Sequence, residues 1–161
     1  MKYIKTGQKR SDAKRHKLVM VDNTDFKYLN QFHWHVDKDD SVSSWLGSKN
    51  NKRTLIGRFI MNTPDNLEID HIDGNRLNNQ RSNLRLATSS QNKMNRGPRK
   101  DNKSGYKGVS WHKQRDKWTS RIMANGKYLS LGLFDNIFEA VRAYNLAAKK
   151  HHKEFAWLNQ I

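Results

Sequence analysis

The sequence predicts an α+β chain built from two small folded units. Three observations carry that reading. The stretch 96–104, RGPRKDNKS, holds no apolar residue and contains Gly97-Pro98, so it reads as a linker. After it, three runs rich in β-branched, aromatic and apolar residues lead into a stripe of helical period, the pattern of a three-stranded antiparallel sheet with one helix across a face. Before it, the string from Leu67 to Asn95 reads as strand, loop, strand and helix. The expected division is a basic flexible arm over 1–17, a region over 18–95, the linker, and a second unit over 105–161.

The elements follow in order. Leu18 to Val21 reads as a short strand. In Phe32-His33-Trp34-His35-Val36, alternation sets Phe32, Trp34 and Val36 on one face and both histidines on the other. Val42 to Leu46 and Thr54 to Met61 are expected as further strands around a polar turn, Gly47 to Lys52, giving a small antiparallel sheet. Pro64 ends that run. Leu67 to Ile72 is the next strand, and the chain doubles back through Asp73-Gly74-Asn75. Thr88 with Gln91 has capping-box spacing, so a helix is expected to begin there and carry Asn92 in its first turns.

Beyond the linker the strands are Tyr106 to Trp111, Lys117 to Met123 and Lys127 to Leu131. Asn125-Gly126 joins the last two, and that dipeptide suits a type I′ hairpin because both central residues need positive φ. Asn136 with Glu139 forms a second capping box. Ile137, Ala140, Val141, Tyr144, Ala147 and Ala148 then make an apolar helical stripe. Trp118 and Ile122 fall on the face suited to that helix, while Lys117, Thr119, Arg121 and Met123 share the other. Trp111, Trp118 and Trp157 are expected in the core.

Composition bounds the function. In 161 residues, 31 Lys and Arg stand against 15 Asp and Glu, a net charge of +16. That surplus points to a polyanion, most simply nucleic acid, with ribosome or RNA binding as the blander version. There is no cysteine, which excludes a disulfide frame and a cysteine zinc site. No apolar run approaches the roughly 20 residues of a membrane helix, and Leu18 to Val21 is too short for a signal-peptide core. The charge is uneven. Arm, linker and last unit carry +15 between them, whereas 18–95 carries +1. Most of it is therefore tethering charge, and affinity resting on it is expected to be salt-sensitive.

The near-neutral region holds the chemistry. Asp70, His71, Asn83 and Asn92 are able to converge if the chain doubles back as expected. A carboxylate and an amide oxygen suit a hard divalent cation such as Mg²⁺ or Mn²⁺ in an open site that keeps waters and takes phosphate oxygens. A histidine suits a general base near neutral pH. Asn83 is better read as structural, its amide bridging the loop and holding His71 in place. Each residue alone is a weak signal; the joint pattern is specific.

Asp70-His71-x-x-Gly74, Asn79, Asn83-Leu84-Arg85 and Gln91-Asn92 together resemble the HNH motif of phage and intron-associated homing endonucleases. The resemblance implies a ββα-metal (His-Me finger) fold and a zinc-free hydrolytic site. It assigns His71 as general base, Asp70 and Asn92 as metal ligands, and Asn83 as the central structural asparagine. Arg58 and Arg85 are expected on DNA phosphates. Relatives often carry a His-Arg pair on the strand before the motif, and this chain has Gly57-Arg58 there.

The C-terminal unit is similar to AP2 domains through Gly105 to Val109, Lys117-Trp118, Asn125-Gly126-Lys127, Leu131-Gly132, Phe134, Glu139-Ala140, Ala143-Tyr144 and Leu158-Asn159. That resemblance implies a sheet in the major groove of double-stranded DNA. The matching DNA-facing positions are Lys107, Ser110, His112, Arg121, Met123, Tyr128 and Ser130. Arg121 is the best candidate for a bidentate guanine contact, worth about 1–3 kcal/mol. Several of these positions differ from the plant pattern, so the plant target does not transfer.

The combined expectation is a Mg²⁺-dependent DNA endonuclease, monomeric or transiently dimeric on DNA, nicking one strand at a time. A phage origin would place it in the cytoplasm of a bacterial host. The competing class is a non-catalytic DNA-binding regulator with a vestigial HNH region.

Overall fold

The computed structural model describes residues 1–7, 17–45 and 53–161. Most of the expected arm, Leu46 and the turn from Gly47 to Lys52 lie outside the described residues. The chain divides into two compact units, Met1–Ser89 and Ser90–Ile161. Residues 96–104 thus belong to the second unit. Among the described residues, no helix is long and apolar enough to cross a membrane.

In the first unit, β1 (Lys2–Lys5) pairs antiparallel with β2 (Leu18–Val21), setting Ile4 opposite Val19. The start of the expected arm is therefore a strand. Its lysines stay in water while Ile4 enters the core and Thr6 is buried, its N–H donating to the Lys17 carbonyl. A helix that the sequence did not announce, α1 (Asn23–Leu29), follows, and Trp34 fastens it by donating its indole N–H to the Leu29 carbonyl at 2.8 Å. β3 (His35–Val36), β4 (Val42–Trp45) and β5 (Arg53–Leu55) form a small antiparallel sheet.

The expected strand from Thr54 to Met61 is strand only as far as Leu55. Ile56–Met61 is a helix, α2, closed by Asn62 in the left-handed region at φ 46°. The reason is periodicity. Ile56 and Ile60, four apart, both enter the core with Trp34 and Leu84, which a strand of period two would also permit but a helical turn packs on one side. β6 (Glu68–His71) pairs antiparallel with β7 (Leu84–Ala87), and α3 (Ser89–Met94) follows after Thr88.

The second unit is a three-stranded sheet with one long helix. β9 (Lys117–Ala124) lies between β8 (Val109–His112) and β10 (Lys127–Phe134) and pairs antiparallel with both. Asn125 and Gly126 turn the hairpin at φ 50° and 74°. α4 (Ile137–His152) starts on Asn136, whose side chain accepts from the Phe138 N–H at 2.8 Å. Val109, Ile122, Ala140, Val141, Tyr144 and Ala148 make its core. Gly108 is required where it stands. At φ +77°, a Cβ there would lie 2.2 Å from the Tyr144 ring and 2.6 Å from the Arg121 carbonyl oxygen.

Candidate functional site

The ladder from β6 to β7 sets Asp70 opposite Arg85 and His71 opposite Leu84. The loop between the strands is closed by side-chain amides. Asn83 accepts from the Asp73 N–H at 3.0 Å, and donates to the Asp73 carboxylate at 2.9 Å and to the Asn78 carbonyl at 2.8 Å. One buried amide therefore ties together three points of the loop. Burial pushes the Asp73 carboxyl up, but donors from Asn78, Asn75 and Asn83 outweigh it and hold the group below the ordinary carboxylate range.

His71 is aimed by a residue to which the sequence reading gave no role. Its Nε2 lies 3.1 Å from Oδ1 of Asn79, which is fully buried. The other side of that amide donates to the Arg76 carbonyl at 2.9 Å, and the Asn79 backbone N–H donates to Met20 of β2 at 2.8 Å. With the amide so oriented, Nε2 carries the imidazole proton and Nδ1 is the basic nitrogen. Desolvation lowers the His71 pKa from the usual histidine value, against the pull of Asn79, Asp73 and Asp70. Burial thus favours the neutral ring. Gly57 belongs to the same arrangement: a Cβ there would stand 3.1 Å from Ile69 Cγ2 and 3.4 Å from Asn79 Oδ1. The glycine leaves room for the amide that aims the histidine.

Asp70 is only 3% exposed, and its carboxylate accepts from Arg85 Nε at 2.7 Å. Arg85, expected on a phosphate, is thus engaged with the candidate metal ligand. Arg58 is likewise committed elsewhere. Its guanidinium donates to the carbonyls of Leu67, Thr63 and Pro64 and pairs with Asp65, clasping the turn after α2. Asn92 is half-buried on α3. Among the described residues, no group of three or more His, Cys, Asp or Glu stands ready to hold a metal. Asp70 offers a buried carboxylate and Asn92 an amide oxygen, each a donor type that a hard divalent cation takes.

In the second unit the register places the expected DNA-facing positions. Ser110 stands opposite Thr119, His112 opposite Lys117, Ser130 opposite Arg121 and Tyr128 opposite Met123. Directly opposed residues share a face, so Ser110, His112, Arg121, Met123, Tyr128 and Ser130 line one side of the sheet. Arg121 lies over the Tyr128 ring at 5.3 Å from its centroid. Lys107 is different. Its ammonium donates to the carbonyls of Lys93, Met94 and Arg96 at 3.2, 2.7 and 2.6 Å, at the end of α3. Burial, with Arg96 nearby, lowers its pKa to about 8. Trp111, expected in the core, is 43% exposed and meets Trp118 edge-on at 5.0 Å.

Comparisons with known proteins agree on both regions. A family model described as HNH endonuclease matches residues 62–94, and one described as AP2 domain matches 104–154. "Protein 3.8" of Escherichia phage T7 is 40% identical over 93 residues, covering 58% of this chain and 76% of that protein. An uncharacterized HNH endonuclease of Acanthamoeba polyphaga mimivirus is 32% identical over 135 residues, 83% of this chain and 70% of the relative. An AP2-like ethylene-responsive transcription factor of Arabidopsis thaliana is 43% identical over 58 residues, 36% of this chain and 12% of the plant protein. No solved structure matches the chain. With its aspartate-histidine pair on one strand of the matched segment and a sheet-and-helix unit behind it, the chain belongs to the HNH endonuclease family and carries an AP2 domain after the HNH segment.

Proposed function

We propose that this chain is a Mg²⁺-dependent DNA endonuclease that nicks one strand at a time, on double-stranded DNA held by its C-terminal sheet. The observation that carries the reading is the His71–Asn79 pair beside the buried Asp70. With Nε2 committed to Asn79, Nδ1 takes a proton from water while the water oxygen attacks phosphorus. The bond from phosphorus to the 3′ oxygen breaks as the new P–O bond forms, and that oxygen takes a proton from solvent, leaving 5′-phosphate and 3′-hydroxyl ends. Asn83 keeps the loop, and with it His71, in place. Asp70 and Asn92 would hold the Mg²⁺ in the ββα-metal arrangement expected of the family. When bound, such an ion stabilises negative charge on the phosphate and the departing oxygen. Ser110, His112, Arg121, Met123, Tyr128 and Ser130 face the DNA. A double-strand break then requires a second copy or a second event.

The test is nicking of target-bearing supercoiled plasmid in Mg²⁺ and in EDTA, with His71→Ala alongside. Wild type is expected to nick in Mg²⁺ alone, and His71→Ala to be slower by about 10²–10⁴-fold with unchanged DNA affinity. Plasmid left intact across Mg²⁺ and Mn²⁺ sinks the enzyme reading. Equal nicking by His71→Ala removes the histidine from its role.

A further inference from the structure

We propose that Lys107 is a positioning residue: it fastens the end of α3, so that Asn92 and the DNA-facing sheet belong to one rigid body. The inference rests on the nuclease reading only for what Asn92 does. α3 spans just Ser89–Met94, too short to hold itself in water, and its last carbonyls need donors beyond the long bonds from Asn95 N–H to Gln91 and Arg96 N–H to Lys93, at 3.3 and 3.4 Å. The Lys107 ammonium supplies them, with donation to Lys93, Met94 and Arg96 and a cation at the negative end of the helix.

Lys107 is itself held from both sides. Its N–H donates to Asn159 Oδ1 at 2.8 Å and its carbonyl accepts from Asn159 Nδ2 at 3.0 Å. Asn159 is clasped in turn by Asn145 of α4, N–H to Oδ1 at 2.9 Å and Nδ2 to carbonyl at 2.8 Å. The next residue, Gly108, accepts from the Arg121 N–H at 2.9 Å. A continuous path of hydrogen bonds and chain therefore runs from Arg121 through Gly108 and Lys107 to Met94. The segment between α3 and the sheet is packed as well, with Gly97 lying under the Trp157 ring so closely that a Cβ would stand 3.0 Å from it. A lysine matched to a DNA-facing position thus spends its charge inside the protein.

The experiment uses the full chain with Lys107→Met and Lys107→Gln and reads three quantities. The first is hydrogen exchange of backbone amides 91–96. The second is DNA affinity by band shift in EDTA across a salt series, and the third is the Mg²⁺ midpoint for nicking. Expected for Lys107→Met are about tenfold faster exchange at 91–96 with amides 117–124 unchanged, an unaltered salt slope, and a midpoint about tenfold higher. Lys107→Gln, which keeps donors, is expected in between, and it decides the matter if Lys107→Met fails to fold. Unchanged exchange in both variants overturns the proposal. So does a salt slope reduced by about one unit, the mark of a lost phosphate contact. If wild type does not nick at all, the nuclease reading fails, while exchange and salt slope still judge Lys107.

Discussion

The two halves of the molecule hold their candidate site residues by different means. Around His71 the geometry is set by buried side-chain amides, Asn79 on the imidazole and Asn83 across the loop. On the sheet it is set by the ladder, whose register alone puts Arg121, Met123, Tyr128 and Ser130 on one face. A site organised by single side chains is vulnerable to single substitutions at those side chains. A site organised by backbone pairing tolerates them, and fails only when the packing beneath the ladder fails.

The largest expected effect probes that packing. Gly108→Ala adds a Cβ 2.2 Å from the ring of Tyr144, a buried core residue, and 2.6 Å from the carbonyl oxygen of Arg121 in the ladder, at a φ of +77°. Overpacking and backbone strain together are expected to cost about 3–5 kcal/mol, so that the second unit unfolds at much lower urea. A change below about 1 kcal/mol would mean that the sheet and α4 are not packed as described. Asn83→Ala probes the other half. It removes a buried amide, takes the acceptor from the Asp73 N–H and one donor each from the Asp73 carboxylate and the Asn78 carbonyl, at an expected cost of about 2–3 kcal/mol. Nicking at saturating DNA should fall at least tenfold while band-shift affinity stays within twofold. A loss of affinity equal to the loss of rate would break the contrast between the halves.

That contrast also explains what was legible in the sequence. Asn125-Gly126 and the stripe from Ile137 to Ala148 are local patterns, and both stand where the sequence puts them. Asp70 and His71 are neighbours on one strand, so the motif shows them together. The run from Thr54 to Met61 looks like one strand because Ile56 and Ile60 satisfy periods of two and four alike, although Ile56–Met61 is helix. The first strand was hidden by its lysines, which charge counting assigns to an arm although Ile4 is a core residue. Arg58, Arg85 and Lys107 look like DNA contacts because a basic side chain shows its charge in sequence but not its partner. Their partners are carbonyls of the turn and of α3, and Asp70.

A smaller effect comes from pH. His152 at the end of α4 is buried, with Nε2 2.7 Å from the Met123 carbonyl of β9. Desolvation, together with Lys107 and His151, lowers its pKa below the ordinary histidine value of 6.5, against that hydrogen bond. The unfolded chain therefore binds the proton more tightly than the folded one. Stability of the second unit is full above pH 6.5 and declines as pH falls below it. Urea midpoints measured down that range should fall for wild type and be flatter for His152→Gln. Parallel curves would show that the helix end is not pinned through this imidazole.

The smallest effect tests the ladder face itself. Tyr128→Leu removes the ring beneath Arg121 and leaves the strand, the register and every charge in place. What is lost is a partly exposed cation–π contact, about 0.5–1 kcal/mol, which corresponds to about a twofold to fivefold loss of DNA affinity if the ring pre-orients the guanidinium. The slope of log affinity against log salt should not change, because no cation has been removed. Arg121→Ala in the same assay should cost more, about 1–3 kcal/mol, and relax the preference at one base pair. If the two variants lost affinity equally and with the same salt slope, the tyrosine would be binding DNA directly rather than aiming the arginine. The face would then owe its specificity to individual side chains after all, as the His71 loop does.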